Sequence, residues 1–288
     1  ICYLEVAGQK ASVLVANPNG ITVNGGGFLN TEHAVLTTGR TELDGAGNLQ
    51  NYRVEQGKVS IEGKGLDGKS ADSVSILART IDVNAGVWAN KLNTRTGQNN
   101  IDAKNLKATA LDLSSTETKP TIGLDVAAVG GMYANHITMV GTEAGVGVNL
   151  NGVVAGTQSV SVDANGHLSV NGTLQSDTSL VAKANSIQNT KTIASGGNLS
   201  LETKELTNTG HITSAKNGYV KVKETLTNKN TMAAGANTQG ALTGNGSLTI
   251  EAGTVRNTDA VIVSGGTTTI NSKEVHNIEN GRDRKSVV

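Results

Sequence analysis

Residues 187–228 read IQNTKTIASGGNLSLETKELTNTGHITSAKNGYVKVKETLTN, and one triplet returns through them: an aliphatic residue, any residue, then asparagine. It stands at Ile187-Gln188-Asn189, Leu206-Thr207-Asn208 and Leu226-Thr227-Asn228, then again at Val255-Arg256-Asn257 and Val275-His276-Asn277. The intervals are 19, 20, 29 and 20 residues. Between triplets comes a short alternating run, as in Asn198–Leu201, Tyr219–Val222, Ser247–Ile250 and Thr267–Ile270. A unit of about 20 residues is too short for two helices and a turn, and its apolar residues alternate instead of recurring at helical spacing. Each unit therefore reads as one coil of a β-solenoid, an all-β fold of stacked parallel strands. The long interval holds Ala234–Gly244, a Gly/Ala/Asn-rich insertion that maps to a surface loop.

Composition agrees with this architecture. The chain of 288 residues has one Trp, four Tyr and one Phe against 36 Gly. Coils stacked about 4.8 Å apart set like side chains directly over one another, which suits Val, Ile, Leu, Ala and Thr and would crowd aromatic rings. Asn and Gly are expected at the corners, where the backbone turns. Lys plus Arg and Asp plus Glu number 24 each, so no net charge draws the chain to nucleic acid or an anionic membrane. No apolar run approaches the 18 or so residues of a membrane span. Cys2 is the single cysteine and reads as a small buried apolar residue; no internal disulfide is expected.

The first 150 residues are less regular. Strand-like runs occur at 13–16, 59–61, 74–77, 80–83 and 111–113, while Gly63–Ser70 reads as an extra loop. Near the start, SVLVANPNGITVNGGGFLN (12–30) is an apolar run broken by Asn17-Pro18-Asn19-Gly20 and resumed at Ile21. Proline lacks an N–H, and Asn and Gly tolerate positive φ, so the tetrapeptide reads as a turn between two strands, the second ending at Gly25–Gly27. Asp283–Val288 breaks with the preceding pattern and can be encoded by a string resembling a sequencing adapter; it is set apart as an artefact, with a genuine charged tail as the alternative.

Motifs that would carry chemistry are weak. Gly63-Lys64-Gly65-Leu66-Asp67-Gly68 matches G-x-G-x-x-G but leads into another strand, not the helix a dinucleotide site needs. Parallel β-helices include enzymes that cut acidic polysaccharides, and these need clustered carboxylates. Here the aspartates are scattered singly, and Asn257-Thr258-Asp259 is better explained by the repeated triplet. His33, His136, His167, His211 and His276 show no metal-ligand spacing. The lysines of Lys216–Lys229 form a polar face on which anionic glycans could sit, with a plain solvated face as the simpler reading. No catalytic, cofactor-binding or metal-binding residue is assigned, and the chain does not read as an enzyme.

Function enters through resemblance. VANPNGITVNGGGFLNTEHAVLTTG (15–39), Ile81–Asn90, Thr96–Asn99 and LDVAAVGGMYANHITMVGTEAGVGV (124–148) resemble, in order, segments of the secretion domain of two-partner-secretion exoproteins, the filamentous haemagglutinin family. The combined expectation is a right-handed parallel β-helix with residues 1–150 as that domain and 151–282 as the start of a repeat shaft. The resemblance implies export to the cell surface or medium through the periplasm, without membrane insertion. It also implies an outer-membrane barrel transporter, whose periplasmic domains read a motif carried here by Asn17, Pro18, Asn19, Gly20 and Ile21. The whole would be an adhesin meeting a host or neighbouring cell through other regions, or the stalk of a contact-dependent growth inhibition toxin. Family members carry a signal peptide, capping strands and an NPNL-type motif ahead of this point, so the chain reads as an internal piece with an open first coil.

Overall fold

The computed structural model describes residues 3–113 and 118–283. Cys2 and residues 284–288 lie outside the described residues, so neither the reading of Cys2 nor that of the adapter-like tail meets the structure beyond Asp283, whose backbone pairs with Ile262. Strands make up the regular structure, and no helix occurs among the described residues. The chain divides into two compact units: Ile1–Val153 with Asp163–Gly166, and Val154–Val162 with His167–Val288.

In the first unit, parallel strands wind around three faces. One face stacks Ile21, Val59, Ile81, Leu124 and Val148 in a single inward column. From Val59 to Val148 these side chains are buried, because each apolar residue is roofed by its counterpart one coil away. A second face stacks Leu36, Ile76, Thr94 and Met139. Two excursions leave these coils and form an antiparallel sheet of Arg40–Leu43, Leu49–Val54, Asn99–Asp102 and Ala108–Ala110. This sheet covers the solenoid's outer surface through Val35, Tyr52, Val54, Leu77 and Ile101. Arg95 fastens its loop, donating from Nε to Leu106 O at 2.9 Å. Burial pulls the Arg95 pKa below its ordinary value.

The second unit is more regular. Its inward columns include Leu174–Ile193–Ile212–Met232–Ile262 and Ile187–Leu206–Leu226–Val255–Val275. The 29-residue interval is absorbed by residues 235–247, an outward loop closed by an Ala236–Leu242 bridge, as its composition suggests.

The triplet asparagines Asn189, Asn208, Asn228 and Asn257 stand at or next to their strand ends, point inward and are fully buried, because each carboxamide bonds the next. Three expectations need correction. Gly63–Gly68 is not a loop but part of the strand Lys58–Gly68, in which Gly63 (φ +55°) and Gly65 (φ +76°) form a bulge opposite Asn24–Gly26. The three glycines 25–27 do not end their strand, which runs Ile21–Leu29 with Gly27 under the Tyr3 ring. Residues 111–113 are not a strand; the antiparallel pairing with Asn99–Ile101 already ends at Ala110.

Candidate recognition turn and exposed aromatic column

The strands Ala11–Ala16 and Ile21–Leu29 are joined by the Asn17–Gly20 turn. Gly20 N donates to Asn17 O at 3.1 Å, closing the turn, and Asn19 N donates to Asn17 Oδ1 at 3.1 Å. Asn17 N also donates to Thr37 O at 3.0 Å, tying the turn to the next coil. Gly20 sits at φ +127°, and a Cβ there would come within 3.0 Å of Lys58 O, so this position needs glycine for both conformation and space. Ile21 heads the inward column and lines an apolar recess of about 440 Å³ with Leu4, Val15, Val23, Leu36 and Leu66. Asn17 and Gly20 are thus engaged in shaping the backbone, and Ile21 in the apolar column. Asn19 differs: its side chain is exposed and makes no hydrogen bond among the described residues.

A second feature was not anticipated. Gly86-Val87-Trp88-Ala89-Asn90 and Gly131-Met132-Tyr133-Ala134-Asn135 are the same pentapeptide pattern 45 residues apart, and Gly86–Trp88 pair in register with Gly131–Tyr133. The repeated G-x-aromatic-A-N pattern was the available signal. Trp88 and Tyr133 lie on the outer surface, 37% and 36% exposed, with ring planes inclined by 15° and centroids 6.2 Å apart.

Of the other residues considered, the stack makes neighbours of Asp82 and Asp125, but Lys58 Nζ holds Asp82 at 2.7 Å and Asn149 Nδ2 holds Asp125 at 2.8 Å. His33, His167 and His276 are exposed, while His136 and His211 are half-buried. Among the described residues no three His, Cys, Asp or Glu side chains gather to hold a metal. Lys221 is flanked in register by Glu202 and Glu251, so its column alternates in sign and is no anionic-ligand face. A buried ion pair, Arg79 Nη2 to Glu143 Oε1 at 3.1 Å, joins residues 64 apart.

The family model described as the TPS secretion domain matches residues 3–170. The chain belongs to the TPS secretion domain family. A solved filamentous hemagglutinin secretion domain covers 94% of this chain and 69% of its own, with a TM-score of 0.51 and 23% identity, which supports the fold. A protein named Toxin CdiA from Yersinia pestis is 43% identical over 200 residues, 68% of this chain and 6% of that protein. One named 16S rRNA endonuclease CdiA, from Enterobacter cloacae, is 38% identical over 227 residues, 78% of this chain and 7% of that protein. This TPS-domain chain therefore spans about 6–7% of the length of those curated relatives. The TPS match reaches past residue 150 and contains both the Asn17–Gly20 turn and the Trp88–Tyr133 pair. No helix long and apolar enough to cross a membrane occurs among its described residues.

Proposed function

We propose that this segment is the export signal and first shaft coils of a large exoprotein secreted by a two-partner route. An outer-membrane barrel reads residues 1–150 through its periplasmic domains, residues 151–282 begin the shaft, and the product ends at the cell surface or in the medium. The segment itself performs no catalysis. The carrying observation is the TPS match over residues 3–170. Within it, Asn19 is the contact group, since its carboxamide is presented outward while Asn17 and Gly20 are spent on the turn. For the whole protein, the names Toxin CdiA and 16S rRNA endonuclease CdiA favour the stalk of a contact-dependent growth inhibition toxin over an adhesin.

The test is secretion of the parent protein with its cognate barrel, comparing wild type with Asn19→Ala. Release that needs the barrel and falls at least tenfold in the variant, with the purified variant segment still folded, supports the reading. Barrel-independent release overturns the route, and undiminished release of Asn19→Ala overturns the assigned contact.

A further inference from the structure

The antiparallel sheet of the first unit does not lie flush on the coils. Between the two runs a cleft of about 420 Å³, within the roughly 300–1,000 Å³ of small-ligand sites. Strand register sets its floor. His33 pairs with Ser73, Val35 with Ser75, and Ser75 with Asn93. Lys91 stands two residues before Asn93 and so on the same side of its strand, beside Ser73. The floor is thus apolar at Val35 and polar towards Asn93 and Lys91. Leu49 and Tyr52 of the sheet, with Ala103 and Leu106 of its second turn, form the facing wall.

Neither the apolar nor the polar lining is used up by the fold. Leu49, Ala103 and Leu106 stay half-buried beside the buried Val35 and Tyr52. Ser75 is 3% exposed, and its Oγ is reached by Asn93 Nδ2 at 3.5 Å, the outer limit of a hydrogen bond; the Ser75 hydroxyl has no acceptor among the described residues. Charge is unbalanced as well. Asp72 is held by Lys10, and Glu32 lies 3.8 Å from His33 Nε2. Asp102, the carboxylate nearest Lys104 in the chain, is taken by the N–H groups of its own turn. Lys91 and Lys104 line the cleft without an ion pair among the described residues. The turn is fixed beforehand, since Ala103 N donates to Gln50 O at 2.8 Å and Leu106 O accepts from Arg95 Nε.

We propose that this cleft binds a small amphipathic carboxylate. Its apolar body lies between Val35, Leu49 and Tyr52, and its carboxylate accepts from Ser75, Asn93 and Lys91 with Lys104 opposite. From Val35 to Asn93 the floor crosses two strand spacings, roughly 10 Å, which suits a benzene ring carrying a three-carbon acid. The two free ammonium groups oppose a cation, and Asp72 and Glu32 at the margin oppose a polyanion. A free organic acid and the last residue of a polypeptide share this chemistry.

The probes are 3-phenylpropionate and octanoate for the free acid and the tripeptide Gly-Gly-Phe for the chain terminus. Controls are 3-phenylpropylamine and the tripeptide amide. Each is titrated to about 10 mM, a weak-binding range, while the backbone amides of Ser73, Ser75 and Asn93 are followed by heteronuclear NMR. We expect saturable shifts confined to the cleft with a carboxylate. The Kd is expected to rise at least tenfold when Lys91→Gln and Lys104→Gln are combined; both lysines are exposed, and the spectrum away from the cleft should stay unchanged. Saturation by a free acid alone supports the proposal with a free acid as the ligand, and saturation by Gly-Gly-Phe alone supports it with a chain terminus. No saturable shift with any carboxylate, a control binding as tightly as its carboxylate, or an unchanged Kd in the double variant overturns it. None of these outcomes bears on export, which the secretion assay reads separately.

Discussion

Asn189 donates from its side-chain amide to the Asn208 carboxamide oxygen at 2.8 Å, with both residues fully buried. Asn208 repeats the bond to Asn228 at 2.8 Å, Asn228 to Asn257 at 2.9 Å and Asn257 to Asn277 at 3.1 Å. The remaining hydrogens are used too: Asn189 Nδ2 donates to His211 O and Asn208 Nδ2 to Thr231 O, at 3.0 and 3.1 Å. A side chain with two donors and an acceptor with two lone pairs is one that can be fully satisfied in such a row. Burial of a polar group is then tolerated, because none of it is left without a partner.

Asn208→Ala interrupts this row in its middle. It orphans the Asn189 donor, the Asn228 acceptor and the Gly210 N–H, which donates to Asn208 Oδ1 at 3.2 Å. At ~1–3 kcal/mol per unsatisfied buried group, with some relaxation, the expected loss is about 3 kcal/mol or more. Asn277→Ala, at an exposed end of the row, should cost far less. Urea unfolding followed by circular dichroism compares them; equal losses would remove the row from the stability of this unit.

Thr94 tests the opposite case. Its hydroxyl is buried in the Leu36–Ile76–Met139 column with no hydrogen-bond partner among the described residues. Thr94→Val keeps the shape and removes the unsatisfied group, so it should raise stability by about 1 kcal/mol. An unchanged or lowered urea midpoint would show that the hydroxyl is satisfied in solution.

The Arg79–Glu143 pair has side chains only 5% and 13% exposed. Glu143→Ala leaves a guanidinium buried without its carboxylate and should cost roughly 3–5 kcal/mol, whereas the double change Arg79→Met with Glu143→Leu should recover most of it. Thermal melts of the wild type and the two variants decide this; a single variant as stable as the double one would contradict it.

Two surface aspartates carry the pH prediction. Asp102 accepts the N–H of Asn105 and of Lys104, at 3.0 and 2.9 Å, which holds its pKa below the ordinary carboxylate value. Asp44 is lowered likewise, first by the Asn48 side chain and then by the Asn48 N–H. A pKa lowered by folding gives stabilisation that is present above the unfolded-state value, about 3.9, and is lost as pH falls through the folded value. Amide protection in the loops 44–48 and 102–107, measured relative to the unstructured exchange rate at the same pH, should therefore fall below about pH 4, with carboxyl titration midpoints under the reference value. Midpoints at the reference value would refute the capping.

The regular part of this fold was legible because it is written in one dimension. Ile187, Leu206 and Leu226 recur at the coil length, and stacking converts that interval directly into contact. What the triplet does not reveal is where its asparagine points: turn propensity favours an outward corner, and only the neighbour one coil away makes an inward amide affordable. The first unit was harder, because the excursions at 40–54 and 99–110 are each a local hairpin that leaves the parallel coils, and the two then pair with each other across about 50 residues of chain. Their apolar residues, Tyr52, Val54 and Ile101, serve a second core that lies outside the coil interior. At the candidate turn, the shape of Asn17–Gly20 was legible, but which asparagine is committed and which is presented depends on Asn17 Oδ1 reaching the Asn19 N–H.

Asn228 meets Asn257 across 29 residues as closely as Asn208 meets Asn228 across 20. Chain length between two rungs is thus free, provided both carboxamides return to the axis. Foreign sequence spliced into the exposed tip at 237–241, beyond the Ala236–Leu242 bridge, therefore leaves the buried Ala233–Ala236–Val263 cluster in place, which makes the tip a natural grafting point for an epitope or a receptor-seeking peptide.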